Sequence, residues 1–342
     1  MGEFTLPDDF PRRYDDPNIH QHLASFLTAR RDTASLMRAV DAALKRLGVA
    51  RSIRIFQVIS RSHAGDDAAV SPRFLVDCLK RDRQAIPLEE LAGAGTAMTS
   101  RASVEIESEG GCRRIEPMSA EEDLFLVLDG FHRDDACRRL VKHLAELAGN
   151  LHYLHSQIER DGLTGLLNRQ AFDRRLVQLG KDVGQSRRRQ DDEGSGYFLG
   201  LIEIDRFAEL RDRFGHVRTD NVLEVVAKHM ERQFRYTDFL FRHGGEEFAA
   251  VLLHLTEAQA LSAMERFRAG IESRPIPPVG MVTVSIGLCR VTDVPADTIL
   301  DRAHKALYFS KSFGCNRISC YENLLAEGLL EETVLIGGSH PD

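Results

Sequence analysis

A chain of 342 residues with 43% hydrophobic and 28% charged residues has room for roughly two or three domains and is neither a disordered nor a fibrous polymer. Its formal net charge of −7 disfavours broad electrostatic attraction to nucleic acid. Its six cysteines (78, 112, 137, 289, 315 and 320) form no Cys-x-x-Cys pair and no zinc spacing with histidine, so free thiols in a reducing compartment are expected. No apolar run approaches the ~20 residues of a membrane span, and no signal peptide opens the chain. Leu6 in "MGEFTL" stands where myristoylation requires Ser or Thr. The expectation is a cytoplasmic protein with neither membrane nor nucleic acid as partner.

Residues 1–18 read as an N-terminal extension. From Ile19 to Leu47 apolar residues recur at helical spacing (Leu23, Phe26, Leu27, then Leu36, Met37, Val40, Leu44, Leu47), and Gly48 ends the segment. "RSIRIFQVI", "RFLVDCL", "ASVEIES" and "DLFLVLDGF" read as short strands, so residues 19–136 form a small α+β domain. Cys137, Leu140, Leu144, Leu147, Leu151, Leu154 and Ile158 then step by 3, 4, 3, 4, 3, 4, an a/d seam over about three heptads. Two arrangements satisfy it. One is a parallel coiled coil over 137–160 that makes the chain a homodimer; the other is an amphipathic helix packed on its own domain. His152 and His155 on this helix, with no acid or cysteine cluster nearby, are expected to face solvent. Gly162 and Gly165 punctuate the helix and place a boundary near Asp161.

Residues 161–322 alternate regularly. "LLNRQAFDRRLVQLG" reads as a helix, and the Arg187–Arg189 run, followed by Asp191, Asp192 and Glu193, as a self-neutralising loop. "YFLGLIEI" is a buried strand and "DNVLEVVAKHMERQF" a helix; two strands flank Gly244-Gly245 as a tight hairpin, where φ > 0 favours glycine. A helix through Leu261, Met264, Phe267 and Ile271, the strand "MVTVSIGL", the helix "DTILDRAHKALYFS" and the strand "RISCY" complete one sheet with helices on its faces. The acidic tail, 323–342, has no assigned place.

Chemistry concentrates at two points. Glu203 and Asp205 end a buried strand on one side of it, where desolvated carboxylates are costly without a partner; as rim acids in water they would need none. Glu246 and Glu247 enter the strand after the glycine turn. If the turn lies beside the strand end, Glu203 converges with Glu246 or Glu247. Such hard oxygen ligands suit Mg²⁺ with substrate phosphates, hence phosphoryl or nucleotidyl transfer. "GAGT" at 93–96 lacks the context of a dinucleotide fingerprint, no P-loop is present, and Ser285 lacks a nucleophile context.

"DGLTGLLNR", "EIDRF…RFGH…D", "RHGGEEF", "VTVSIGL" and "ALYFSKSFGCNR" together resemble, in order and spacing, the GGDEF family of diguanylate cyclases over Asp161 to about Tyr321. The resemblance implies a palm-like nucleotidyl-cyclase fold of mixed α+β or α/β class. It also implies condensation of two GTP into cyclic di-GMP with release of pyrophosphate by a dimer, each 3′-hydroxyl attacking the other nucleotide's α-phosphate. It makes Glu246, Glu247 and Glu203 the catalytic acids, with Glu203, the Ile204 carbonyl and Glu246 holding Mg²⁺ or Mn²⁺. Asp205 matches the second acid of the strand. Substrate contacts fall to Asp220, Lys311, Arg211, Phe207, Gly244 and Gly245, with Asp220 reading guanine and Lys311 the phosphates. Arg235 and Asp238, with five residues between Asp238 and Gly244, match the family's Arg-x-x-Asp product-inhibition site, with Arg266 as a second arginine; a helix-end ion pair is the plainer reading.

The chain departs from the family where Glu203 replaces Asp, Ala208 a lysine, Arg211 an asparagine and Cys315 an arginine. Lost phosphate donors, worth ~1.5–3 kcal/mol each, give a second expectation: a catalytically inactive domain that serves as a receptor for cyclic di-GMP or GTP. Residues 19–136 resemble a GAF-type sensor, with a PAS-like domain as rival, and imply an unknown small ligand or protein there.

Overall fold

The computed structural model describes residues 6–7, 9–30, 32–60, 73–79, 85–108, 111–119, 123–186 and 195–331. The Arg187–Glu193 stretch expected as a loop, the first five residues and the tail beyond 331 lie outside the described residues. The chain divides into two units, 1–158 and 159–342, each with its own sheet.

In the first unit the periodic stretch from Ile19 is two helices, α1 (Ile19–Thr28) and α2 (Thr33–Leu47). Asp32 makes the break: its backbone is extended and its carboxylate accepts the Ser35 N–H at 2.8 Å, capping α2. Gly48 in the left-handed region closes α2. Six strands follow, β1 (Ser52–Ser60), β2 (Arg73–Asp77), β3 (Ala85–Pro87), β4 (Val104–Ser108), β5 (Gly111–Ser119) and β6 (Leu124–Asp129), ordered β3-β2-β1-β6-β5-β4. All their pairings are antiparallel. Both faces are covered, which explains the unbroken apolar run of β6. Leu124, Leu126 and Leu128 face α1, α2 and α4 (Asp135–Glu159), whereas Phe125 and Val127 join Leu91, Ala94 and Ala97, the last two on α3 (Ala94–Ser100).

Ahead of α1, Phe10 is buried against Phe26, ring centroids 5.3 Å apart, and the Tyr14 hydroxyl donates to Asp134 at 2.8 Å. Two expectations are corrected here. The coil over all of 137–160 does not hold as stated. Cys137, Leu140 and Leu144 are buried in the unit's own core, and Leu147 and Leu151 pack on it partly; Leu154 and Ile158 point outward, 55% and 64% exposed. The heptad step is thus, for most of its length, the stripe of an amphipathic helix. His152, expected in solvent, is buried with them.

The second unit has strands β7 (Gly196–Ile204), β8 (Phe239–Gly244), β9 (Glu247–Leu255), β10 (Val284–Val291) and β11 (Ile318–Cys320), ordered β11-β10-β7-β9-β8. All neighbours are antiparallel except β10 and β11. Its helices are α5 (Arg169–Ser186), α6 (Phe207–Phe214), α7 (His216–Gln233), α8 (Glu257–Glu272), α9 (Ala296–Ser312) and α10 (Tyr321–Ala326). Helix α10 carries the fold past the boundary expected at residue 322, since Leu324 is buried. One sheet face packs Phe198, Ile202 and Phe248 on α7 and α8; the other packs Leu199, Leu201 and Val251 on α5 and α9. A Cβ at Gly287 would lie 2.2 Å from the Ala303 carbonyl oxygen and the Leu307 nitrogen. Glycine there lets the α9 backbone rest directly on β10.

Candidate active site

Strands β7 and β9 pair with Glu203 opposite Glu247, and the Ile204 N–H donates to the Glu246 carbonyl at 3.3 Å. The strand end and the turn therefore meet. Directly opposed residues stand on the same sheet face with Cβ atoms ~5 Å apart, which disfavours like charges. Each acid has an answer. Lys311 of α9 pairs with Glu203. Glu247 binds His243 Nδ1 through Oε2 at 2.9 Å and His304 Nε2 through Oε1 at 3.0 Å. Burial opposes ionisation of Glu247, yet the two imidazoles outweigh it and bring the carboxyl down to about 2. His304 moves the opposite way, raised chiefly by its bond to Glu247.

Gly244 ends β8, and Gly245 turns the chain at φ 50°. A Cβ on either glycine would meet nothing within 4 Å, so the space beside the turn is open. Arg242 holds the turn from behind. Its Nε and Nη2 donate to the Gly245 carbonyl at 3.1 and 2.9 Å, and its Nη1 donates to Asp161 Oδ1 at 3.1 Å. Asp161 also accepts the Thr164 N–H and hydroxyl, at 2.9 and 2.8 Å.

Glu246 is half-buried, and its carboxylate has no partner among the described residues. With the Glu203 carboxylate and the Ile204 carbonyl it offers a hard-oxygen donor set at adjoining strand ends, and that set fits Mg²⁺ or Mn²⁺. Among the described residues no three His, Cys, Asp or Glu side chains are already grouped as ligands. Mg²⁺ commonly relies on one or two carboxylates plus substrate oxygens, so such a trio is not required.

Asp205, two residues from Glu203, plays another part. It is buried; its Oδ1 accepts the Ser285 hydroxyl at 2.6 Å, and its Oδ2 accepts the Thr283 hydroxyl at 2.7 Å and the Asn316 N–H at 3.0 Å. It ties β7 to β10 and to the turn holding Cys315, whose φ is 61°. Phe207 opens α6 with its side chain 6% exposed and packed in the core, so any contact it makes with substrate would be through its backbone. Arg211 on α6 and Asp220 on α7 are both exposed, and neither side chain has a partner among the described residues.

Arg235, Asp238 and Arg266 line one depression of about 270 Å³ with Gln233, Gln259 and Ser262. The helix-end ion pair is not formed. Asp238 instead accepts the Arg235 backbone N–H at 2.9 Å and the Leu253 N–H at 3.2 Å, which leaves the Arg235 guanidinium without a partner among the described residues. Arg266 Nη1 donates to Ser262 Oγ at 3.2 Å.

Sequence reasoning missed His243 and His304. The signal available was spacing: His304 precedes Lys311 by seven residues, two helical turns on one face, and His243 and Glu247 straddle the turn.

Residues 158–317, just under half of the chain, match the family model described as diguanylate cyclase, GGDEF domain. The diguanylate cyclase DgcP of Pseudomonas aeruginosa is 33% identical over 211 residues, 54% of this chain and 30% of that protein. Diguanylate cyclase A of Treponema denticola is 39% identical over 130 residues, 36% of this chain and 35% of that protein. This chain thus spans 30–45% of the length of the curated relatives it matches. The coiled coil and GGDEF domain of DgcB from Caulobacter crescentus, solved in complex with c-di-GMP, aligns at 28% identity and a TM-score of 0.47 over 54% of this chain and 97% of that one. Over residues 158–317 this chain is thus similar to the GGDEF domain of diguanylate cyclases.

Proposed function

We propose that the chain condenses two GTP molecules into cyclic di-GMP and releases two pyrophosphates. The observation that carries this is the union at one strand end of Glu203, the Ile204 carbonyl and Glu246, with Lys311 alongside and an open glycine turn beside it. Those oxygens would hold a divalent cation, which would supply charge stabilisation at the transferring phosphoryl group. The chain's own residues do the rest. Gly244 and Gly245 admit the nucleotide against the backbone, Lys311 turns from Glu203 to phosphate, and Asp220 and Arg211 present exposed polar ends to the base. The 3′-hydroxyl of each GTP attacks the α-phosphate of the other across two facing domains.

The outward Leu154 and Ile158 support a homodimer formed at the end of α4. A six-stranded antiparallel sheet with helices on both faces supports a GAF-like sensor in the first unit. The depression lined by Arg235, Asp238 and Arg266 supports product binding and inhibition there. The free cysteines, Cys78, Cys112, Cys137, Cys289, Cys315 and Cys320, support a cytoplasmic setting.

Incubation of the purified chain with GTP and Mg²⁺ or Mn²⁺, followed by mass spectrometry, tests the reading: cyclic di-GMP forms, and Glu246→Gln abolishes it. A second reading, a receptor without turnover, is favoured by Lys311 already engaged on Glu203 and by Cys315 and Ala208 in place of phosphate donors. No product from the wild type, together with cyclic di-GMP binding that Arg235→Ala removes, selects it.

A further inference from the structure

We propose that His304 and His243 are positioning residues for phosphoryl transfer: they clamp both oxygens of Glu247 and fix that carboxylate beside Glu203. The inference rests on the cyclase reading for its functional consequence, and on geometry for the clamp.

Two acids directly opposed across β7 and β9 repel, and an unclamped Glu247 side chain would swing away. Its two oxygens instead meet two imidazoles from different elements, His243 of β8 and His304 of α9. His243 is 5% exposed, its ring edge-on to Phe172 with centroids 4.8 Å apart. Its Nε2 is buried without a partner among the described residues, so the tautomer protonated at Nδ1 aims the ring's one N–H at Glu247. His304 stands on the face of α9 that also carries Lys311, and Gly287 seats that helix on the sheet. One helix face thus answers both acids, Lys311 on Glu203 and His304 on Glu247.

With both oxygens engaged by imidazoles, Glu247 is poorly placed to accept the proton of an attacking hydroxyl. Its part is that of a fixed charge. The histidines set where that charge stands relative to Glu246 and Glu203, and a reacting geometry displaced by ~1 Å loses about a hundredfold in rate.

The test uses the full chain. His304→Ala should lower kcat by about 10- to 100-fold while KM for GTP stays within about twofold, whereas Lys311→Ala should raise KM. His304→Gln, whose amide can donate to Glu247, should recover kcat to within about fivefold of wild type. Wild-type kcat in His304→Ala, or a folded His304→Gln no better than His304→Ala, overturns the proposal. If the wild type makes no cyclic di-GMP, the cyclase reading alone has failed. The clamp is then read by ¹⁵N NMR of the imidazoles: the His304 titration midpoint should fall in Glu247→Gln, and an unmoved midpoint overturns it.

Discussion

Replacing Arg242 by methionine keeps most of the side chain's volume and removes its donors to Gly245 and Asp161. The Arg242–Asp161 pair is 16% and 23% exposed, so it lies between a surface pair worth ~0–1 kcal/mol and a buried one whose breaking costs ~3–5 kcal/mol. Hydrogen bonds to charged groups add ~1.5–3 kcal/mol. A loss of about 3 kcal/mol follows. For a unit spanning residues 159–342, each kcal/mol moves Tm by ~2–4 °C, so its transition should fall by about 6–12 °C. Asp161→Asn and the double variant complete a thermodynamic cycle in which the coupling should reach ~1–2 kcal/mol. Burial works against the charge of Asp161, but bonds from Thr164 and Arg242 outweigh it and hold its carboxyl below the ordinary 3.8. Its folded value is depressed, so its contribution is complete above 3.8 and lost as pH falls through the folded value. The cycle belongs at neutral pH, and calorimetry reads it. A shift under about 2 °C, or strictly additive variants, would refute the view that this guanidinium secures the turn.

Asp205→Ala should cost ~3 kcal/mol or more in urea unfolding, since it strands the buried Ser285 hydroxyl and the Asn316 N–H; activity lost without destabilisation would contradict this. Glu247, brought from 4.5 down to about 2, should add about 3 kcal/mol of stability that is complete above pH 4.5 and fades as pH falls toward 2. Unfolding measured across that window should lose much of its slope in Glu247→Gln. Leu144→Lys should unfold the first unit, whereas Ile158→Lys should leave its stability within ~0.5 kcal/mol and weaken self-association in sedimentation experiments. Equal destabilisation by the two would mean that Ile158 is not outward-facing. Gly287→Ala, which drives a methyl into the α9 backbone, should lower the second unit's Tm more than Gly244→Ala, for which open space is available.

The second unit was legible because its strands are buried and bounded by turn residues, and because the two acid pairs fall at strand ends. In the first unit, β5 was missed for a physical reason. "GCRRIEPMS" reads as a polar loop, yet Arg114 and Glu116 are buried because they satisfy each other, Nε to Oε2 at 2.8 Å. Arg138 of α4 and Arg114 share Glu105, and so complete a network that no local pattern reveals. The heptad step of α4 could not tell one chain's core from another chain's surface, since an apolar stripe serves both. His304 was invisible as a partner of Glu247 because 57 residues separate them and only the sheet brings α9 over β9.

If the proposed cyclase activity holds, Glu203 and Asp205 would be indistinguishable in a screen that scores colonies by loss of product, for replacing either should abolish it. The causes differ in kind. Asp205 is a knot of hydrogen bonds closing the sheet, so its replacement reports on how much folded protein survives. Glu203 holds a single lysine at the rim, so under the proposed function its replacement would report on chemistry in a molecule that still folds. Survey data on this stretch therefore need a companion measure of abundance, without which a structural acid would be counted among the catalytic ones.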